Sequence, residues 1–242
     1  MSDINQFGSY LIFDGLRSND YGVWISGTGT YDAPERDVEF VEIPGRSGDL
    51  MLDNNRFRNI TITYPAFISK QFDSRFDIFK AAMLFRVGYK ILSDTYHPGN
   101  FRLAVFRGDI QPETGPYNKA GSFDLVFECK PQLYLVSGLS GQTFTAGGSI
   151  QNPTQYPALP NIRVYGYGTV GIGSQTITIA SHSWPYIDID CEAMDARYGA
   201  NNANNYVAVT GDMFPTLPAG NTGITLSGNV TKIEIRPRWW TV

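Results

Sequence analysis

The chain has 242 residues, which suits one large domain or two modest ones at roughly 100–200 residues each. Hydrophobic residues make up 42% and aromatics 14%, ample for a core, while charged residues reach only 17%, a low share that fits a surface partly buried in an assembly. The formal net charge of −4 argues against nucleic acid or anionic lipid as a partner, and no apolar run approaches the roughly 18 residues that cross a bilayer, so membrane insertion is excluded.

The opening MSDINQFGSY has no basic start followed by an apolar run, so no signal peptide is expected, and the product is expected to be soluble and made in the cytoplasm. GSYLIFDGLRSNDYGVWISG reads as two strands joined by a turn. In RDVEFVEIPGRSGDLMLDNNRFRNITITYP, alternation broken by Pro44-Gly45, Ser47-Gly48 and Asp53-Asn54-Asn55 reads as hairpins. The loop IPGRSGDL sets Gly45, Arg46, Gly48 and Asp49 at a tip. That tip is either a plain turn or a contact across a subunit boundary.

From Phe72 to Val87 the period changes. Phe72, Phe76, Phe79 and Met83 recur at helical spacing, with Ile78, Ala82 and Phe85 widening the stripe. Asp73 or Ser74 is placed to cap the helix, and Gly88 to end it. Two more strands follow across a His-Pro-Gly-Asn turn, and KAGSFDLVFECKPQLYL closes the first half.

The midpoint, residues 123–168, reads as a joint between two β-rich domains. A strand meets a Pro stop, a Gly/Ser/Thr-rich passage follows, and a Pro-punctuated segment leads into a second strand. Beyond it, short strands with breaks every ~8–12 residues point to an antiparallel sandwich. The two cysteines, Cys129 and Cys191, fall in apolar strand patterns in different halves and read as buried free thiols.

Candidate chemistry is sparse. Gly166, Gly168 and Gly171 match G-x-G-x-x-G, with Asp188 beyond, but the residues that follow read as a strand, not as the helix that fingerprint requires. Asp188, Asp190 and Glu192 alternate with Ile187, Ile189 and Cys191, so they share one strand face. They are either an acid/base or Ca²⁺ group or a solvated face. His97 and His182 have no partner at zinc spacing, and no G-x-S-x-G elbow is present. No cofactor, metal or catalytic residue is therefore assigned, and the chain is read as not an enzyme. Trp184, Tyr186, Trp239 and Trp240 are candidates for stacking on glycan or a partner, against the alternative that they fill a core or a subunit interface. Adjacent Trp239 and Trp240 point to opposite faces of a strand, so one of them should face inward.

Six collinear pieces carry a family resemblance: IPGRSGDLMLDNNRFRNITITYP, FDLVFECKPQLYL, NPTQYPALPNIRVYGYGTV, YIDIDCEAMDARY, GDMFPTLPAGNTGITL and IRPRWW. Over essentially its whole length the chain resembles the distal tail (Dit-type) proteins of long, non-contractile-tailed phages that infect Gram-positive bacteria. The resemblance implies a mainly β fold with two domains. Residues 1–137 would be a β-sandwich-like ring domain with one α-helix, and residues 138–242 a galectin-like β-sandwich, with 138–151 as a connecting arm. Lys130–Gln132 would end the last ring strand, and Asn152–Pro157 would start the outer sandwich. It further implies a structural virion protein of the tail that forms a homohexameric hub. Its partners would be the tail tube protein, a tail-associated tip protein and receptor-binding protein; in an alternative reading the second domain adheres to host cell-wall carbohydrate. On this resemblance Gly45, Arg46, Gly48 and Asp49 are subunit or tube contacts.

Overall fold

The computed structural model of the chain describes residues 8–27, 31–211 and 213–242. Residues 1–7, on which the signal-peptide expectation rests, lie outside the described residues. The fold is mainly β with a single α-helix among the described residues. The chain divides into two compact units. One runs to Leu133 and takes in Val242; the other is Tyr134–Thr241.

The first unit contains β1 (Leu11–Phe13), β2 (Leu16–Arg17), β3 (Val23–Ile25), β4 (Arg36–Val41), β5 (Leu50–Phe57), β6 (Ile60–Ile68), helix α1 (Phe72–Leu84), β7 (Lys90–Asp94), β8 (Asn100–Phe106), β9 (Glu113–Thr114) and most of β10 (Gly121–Leu135). Its main sheet runs β2-β1-β7-β8-β10-β6-β3, with β9 beside β10. Period two decides which side is core. Ile60, Ile62, Tyr64, Ala66 and Ile68 of β6 are buried and their neighbours are not, and Phe123, Leu125, Phe127 and Cys129 of β10 repeat the pattern.

Helix α1 covers this face. Phe72, Phe76, Phe79 and Met83 are buried at the predicted spacing, and the first three rings meet Phe123 with centroids 6.3, 5.1 and 6.2 Å away. Ile78 and Phe85 do not widen the stripe: they are 62% and 85% exposed. The helix ends at Leu84, three residues before the predicted end, so Phe85 lies beyond it, and Ile78 faces away from the sheet. Neither Asp73 nor Ser74 caps it. The N-cap is Gln71, in the left-handed region with φ 57°. The C-cap is Phe85 rather than Gly88.

The hairpin β4–β5 forms a two-stranded sheet of its own. The Asp53-Asn54-Asn55 run does not turn the chain. β5 passes through it, and the Asp53 carboxylate accepts from the Asn55 N–H at 2.8 Å, where φ reaches 54°.

The second unit contains β11 (Gln142–Phe144), β12 (Gly148–Asn152), β13 (Asn161–Tyr165), β14 (Gly168–Ile172), β15 (Gln175–Ile179), β16 (Ile187–Asp190), β17 (Asp195–Tyr198), β18 (Asn201–Asn202), β19 (Val207–Val209), β20 (Gly220–Gly228), β21 (Lys232–Arg236) and β22 (Trp240–Thr241). Two antiparallel sheets, β11-β21-β13-β16-β17-β18 and β12-β20-β14-β15-β19, share one core. Ile162, Val164, Ile187 and Ile233 of the first meet Ile150, Val170, Ile177 and Ile224 of the second.

Two boundaries differ from the expectation. The strand closing the first half does not stop at Lys130–Gln132 but continues to Leu135, whose N–H donates to the Trp239 carbonyl at 2.9 Å. Residues 138–151 are not an arm. β11 pairs with β21 and β12 with β20, and Ile150 is buried in the second core. Asn152, at the end of β12, is a buried polar hub. Its amide donates to the Tyr156 and Leu217 carbonyls at 2.9 Å each, and its oxygen accepts from Thr154 N–H and hydroxyl.

Candidate functional site

The residues of IPGRSGDL sit at the exposed tip of the β4–β5 hairpin. Gly45 and Gly48 have φ of 79° and 83°, the left-handed values that let so short a connection reverse the chain. Arg46 and Asp49 are exposed beside them. The four predicted tip residues are thus brought together.

What the sequence reading missed lies along the strands. Phe40 pairs with Met51, Val41 with Leu50, and Glu39 with Leu52. Opposed residues share a face and consecutive ones alternate, so Phe40 and Met51 lie on one side and Val41, Leu50 and Leu52 on the other. All five are exposed, Phe40 at 62% and Met51 at 54%. The signal was Leu50-Met51-Leu52: three consecutive apolar residues cannot all face one core in a strand.

The base of the hairpin is latched. Asp37 is buried on β4 and accepts from Arg56 Nε at 2.6 Å and Arg58 Nε at 3.0 Å. Hydrogen bonds from Arg56 and then Arg58 hold its carboxyl below the ordinary carboxylate value. A second apolar patch missed by the sequence reading follows α1, where Leu84, Phe85, Val87, Tyr89 and Ile91 are exposed.

The catalytic-looking motifs resolve into structure. Gly166 and Gly168 lie at the β13–β14 turn, not at a helix. A Cβ there would come within 2.1 Å of the Asn229 carbonyl and 2.3 Å of the Ser227 carbonyl, so close backbone approach requires glycine. Asp188 accepts both bonds of the Arg163 guanidinium, at 2.7 and 3.0 Å, and Asp190 both from Arg238, at 2.7 and 3.2 Å. Burial alone would raise the Asp190 carboxyl, but Arg238 and the Ala193 and Glu192 N–H groups bring it below its ordinary value. Glu192 lies beyond β16, 3.3 Å from Arg238. The acids are structural pairs rather than an open acidic face.

Asp94, His97 and Tyr64 form the nearest approach to a catalytic cluster. The Asp94 carboxylate accepts from Tyr64 Oη (2.6 Å) and the Tyr96 and His97 N–H groups (2.9 and 2.8 Å), with His97 Nδ1 3.1 Å away. Its acceptor sites are filled, and the adjoining cavity of about 20 Å³ has room for about one water and is too small for a substrate. His182 Nε2 lies 3.1 Å from the Gly166 carbonyl. Both cysteines are buried and free, and burial pushes each thiol up to about 12.

Of the four predicted aromatic contacts, Trp239 is excluded. It is 3% exposed and packs in the second core. Trp240 stacks on Tyr156 at 4.5 Å and donates its indole N–H to the Pro157 carbonyl at 3.0 Å. Trp184 stacks on Tyr198, and the Tyr186 ring is covered by Arg163, whose guanidinium carbon is 4.1 Å from its centre. Each of the half-buried three packs on its own neighbour, and they do not form a free platform.

No protein-family profile and no curated protein matches the chain. Solved structures do. The Dit protein (gp 19.1) of phage SPP1, described as a paradigm of the hub adsorption apparatus in phages infecting Gram-positive bacteria, aligns over 98% of this chain and 100% of its own. The TM-score is 0.68 at 11% identity. Chains of the phage P2 baseplate in its activated conformation align with TM-scores of 0.52 (with calcium, 11% identity) and 0.51 (with strontium, 10%). Each covers 94% of this chain, and 97% and 96% of its own. The chain therefore has the fold of a siphophage hub protein along nearly its whole length.

Proposed function

We propose that the protein is a structural, non-enzymatic subunit of a phage tail, forming a homohexameric hub where the tube meets the tip. The fold likeness to a hub protein supports this, and the β4–β5 hairpin carries it. A lone two-stranded ribbon is marginal in water, and this one exposes apolar side chains on both faces. Neighbouring chains would cover such a ribbon on both sides. In a ring it lies between neighbouring copies, with Gly45, Arg46, Gly48 and Asp49 at its tip against a copy or the tube protein. A heterologous contact of this kind closes into a ring when its rotation divides the circle. The first unit forms the ring, one face of which meets the tube protein and the other the tip protein, and the second unit carries receptor-binding protein. The place of action is the virion tail, assembled in the host cytoplasm. No helix among the described residues is long and apolar enough to cross a membrane.

Native mass measurement and electron microscopy of the full chain test this, alone and with tube and tip proteins. The expected particle is a six-subunit ring. Phe40→Ser with Leu52→Ser is expected to leave a folded monomer. A chain that stays monomeric at high concentration beside those partners overturns the proposal.

A further inference from the structure

The second unit carries a solvent face whose polar side chains are set in rows. Strand registers place Thr143, Glu234, Arg163, Asp188, Arg197 and Asn202 side by side across six strands, from β11 through β21, β13, β16 and β17 to β18. The intervening Ile162, Ile189, Ile235 and Ala196 are buried, so the row points outward. Neighbouring strands lie about 4.8 Å apart, which sets the interval between these planar charged groups.

Most of the row is locked. Arg163 is bidentate to Asp188 and stacked on Tyr186. Glu234 accepts from Lys232 at 2.8 Å and Tyr165 Oη at 3.1 Å, while Lys232 lies 4.1 Å from the Tyr165 ring centre. Over this fixed wall opens a groove of about 490 Å³, within the size range of small-ligand sites. Three side chains at the groove keep their bonding capacity. Arg236, Asn161 and Thr143 have no side-chain hydrogen bond or ion pair among the described residues. Three arginines (163, 197, 236) face two acids (188, 234) in the lining, a local excess of one positive charge on a chain of net charge −4.

The geometry points to this groove as a binding site for an acidic saccharide, a sugar bearing carboxylate or phosphate. The planar fork of Arg236 takes the anionic group in two parallel bonds. Asn161 and Thr143 bond ring hydroxyls, and the half-exposed Leu139 lies under a C–H face. The locked wall costs little entropy on binding because its side chains are already ordered. The inference does not require ring formation, so failure of one leaves the other standing.

Calorimetric titration of the full chain with trigalacturonate, mannose 6-phosphate and neutral maltotriose tests it. One or both acidic probes are expected to bind, and which one separates carboxylate from phosphate recognition. Maltotriose is expected to bind at least about tenfold more weakly, in line with the worth of bonds to a charged group. Arg236→Ala is expected to remove that difference, Asn161→Ala to weaken every probe, and Arg107→Ala, an exposed residue of the first unit, to change nothing, with each variant's fold checked by circular dichroism. Binding of neither acidic probe, equal binding of maltotriose, or binding that survives Arg236→Ala overturns the proposal. So does hexaglutamate bound through Arg236 more tightly than either sugar, which makes the groove a protein contact.

Discussion

Strand β6 and the hairpin β4–β5 are neighbours in the chain and opposites in design. β6 alternates strictly, with Ile60, Ile62, Tyr64, Ala66 and Ile68 on one side under helix α1 and the rest of the core. The hairpin places Phe40 and Met51 on one side and Val41, Leu50 and Leu52 on the other, with nothing among the described residues of its own unit covering either. Apolar content alone does not separate the two; periodicity does. A strand apolar on one face needs one partner layer, which its own chain can supply. A ribbon apolar on both faces needs two, and the described residues of this unit offer neither.

The comparison breaks most clearly by truncation. Phe127 is fully buried on β10, opposite Ile62, with the Phe13 ring 5.2 Å away. Phe127→Ala should cost about 3–5 kcal/mol in urea unfolding of the first unit, because the cavity cannot close within a packed sheet and helix. Leu52→Ser should instead leave that midpoint within about 0.5 kcal/mol, since its side chain has little packing to lose. If Leu52→Ser costs as much as a core truncation, the hairpin packs within its own unit and the assembly argument loses its support.

The same physics sets what could be read from residues alone. The four buried positions of α1 were legible because a helix on a sheet repeats at 3.6. Phe85 was misassigned because periodicity does not say where a helix stops. The strands β11 and β12 were hidden behind Gly147, Gly148 and neighbouring Ser and Thr. Their partners β21 and β20 lie some 70–90 residues on, and pairing at that distance leaves no local trace. At Trp239 and Trp240 alternation required one inward ring but did not say which; the core chose Trp239. The groove around Arg236 was invisible for a related reason. All but Leu139 and Gly141 come from five strands and meet only through registers no local pattern encodes.

The smallest effect expected is at the hairpin's base, where acid should release it. Asp37 is held below its ordinary carboxylate value by hydrogen bonds from Arg56 and Arg58, so its contribution is fully present above the unfolded value, about pH 4. It is lost as pH falls through the depressed folded value, since protonation removes the charge that the two guanidinium groups hold. Amide hydrogen exchange followed from pH 7 to pH 3, corrected for the intrinsic rate at each pH, should therefore show protection falling in β4 and β5 before it falls in β6, whose carboxylate partners Glu128 and Asp94 take its hydroxyl bonds from Thr61 and Tyr64 rather than bonds from two guanidinium groups. Asp37→Asn should show the reduced hairpin protection already at pH 7 and little further change on acidification. Equal loss in β6 and the hairpin, or an unaltered acid response in Asp37→Asn, would show that the two strands stand or fall together and that the latch at Asp37 does not act alone.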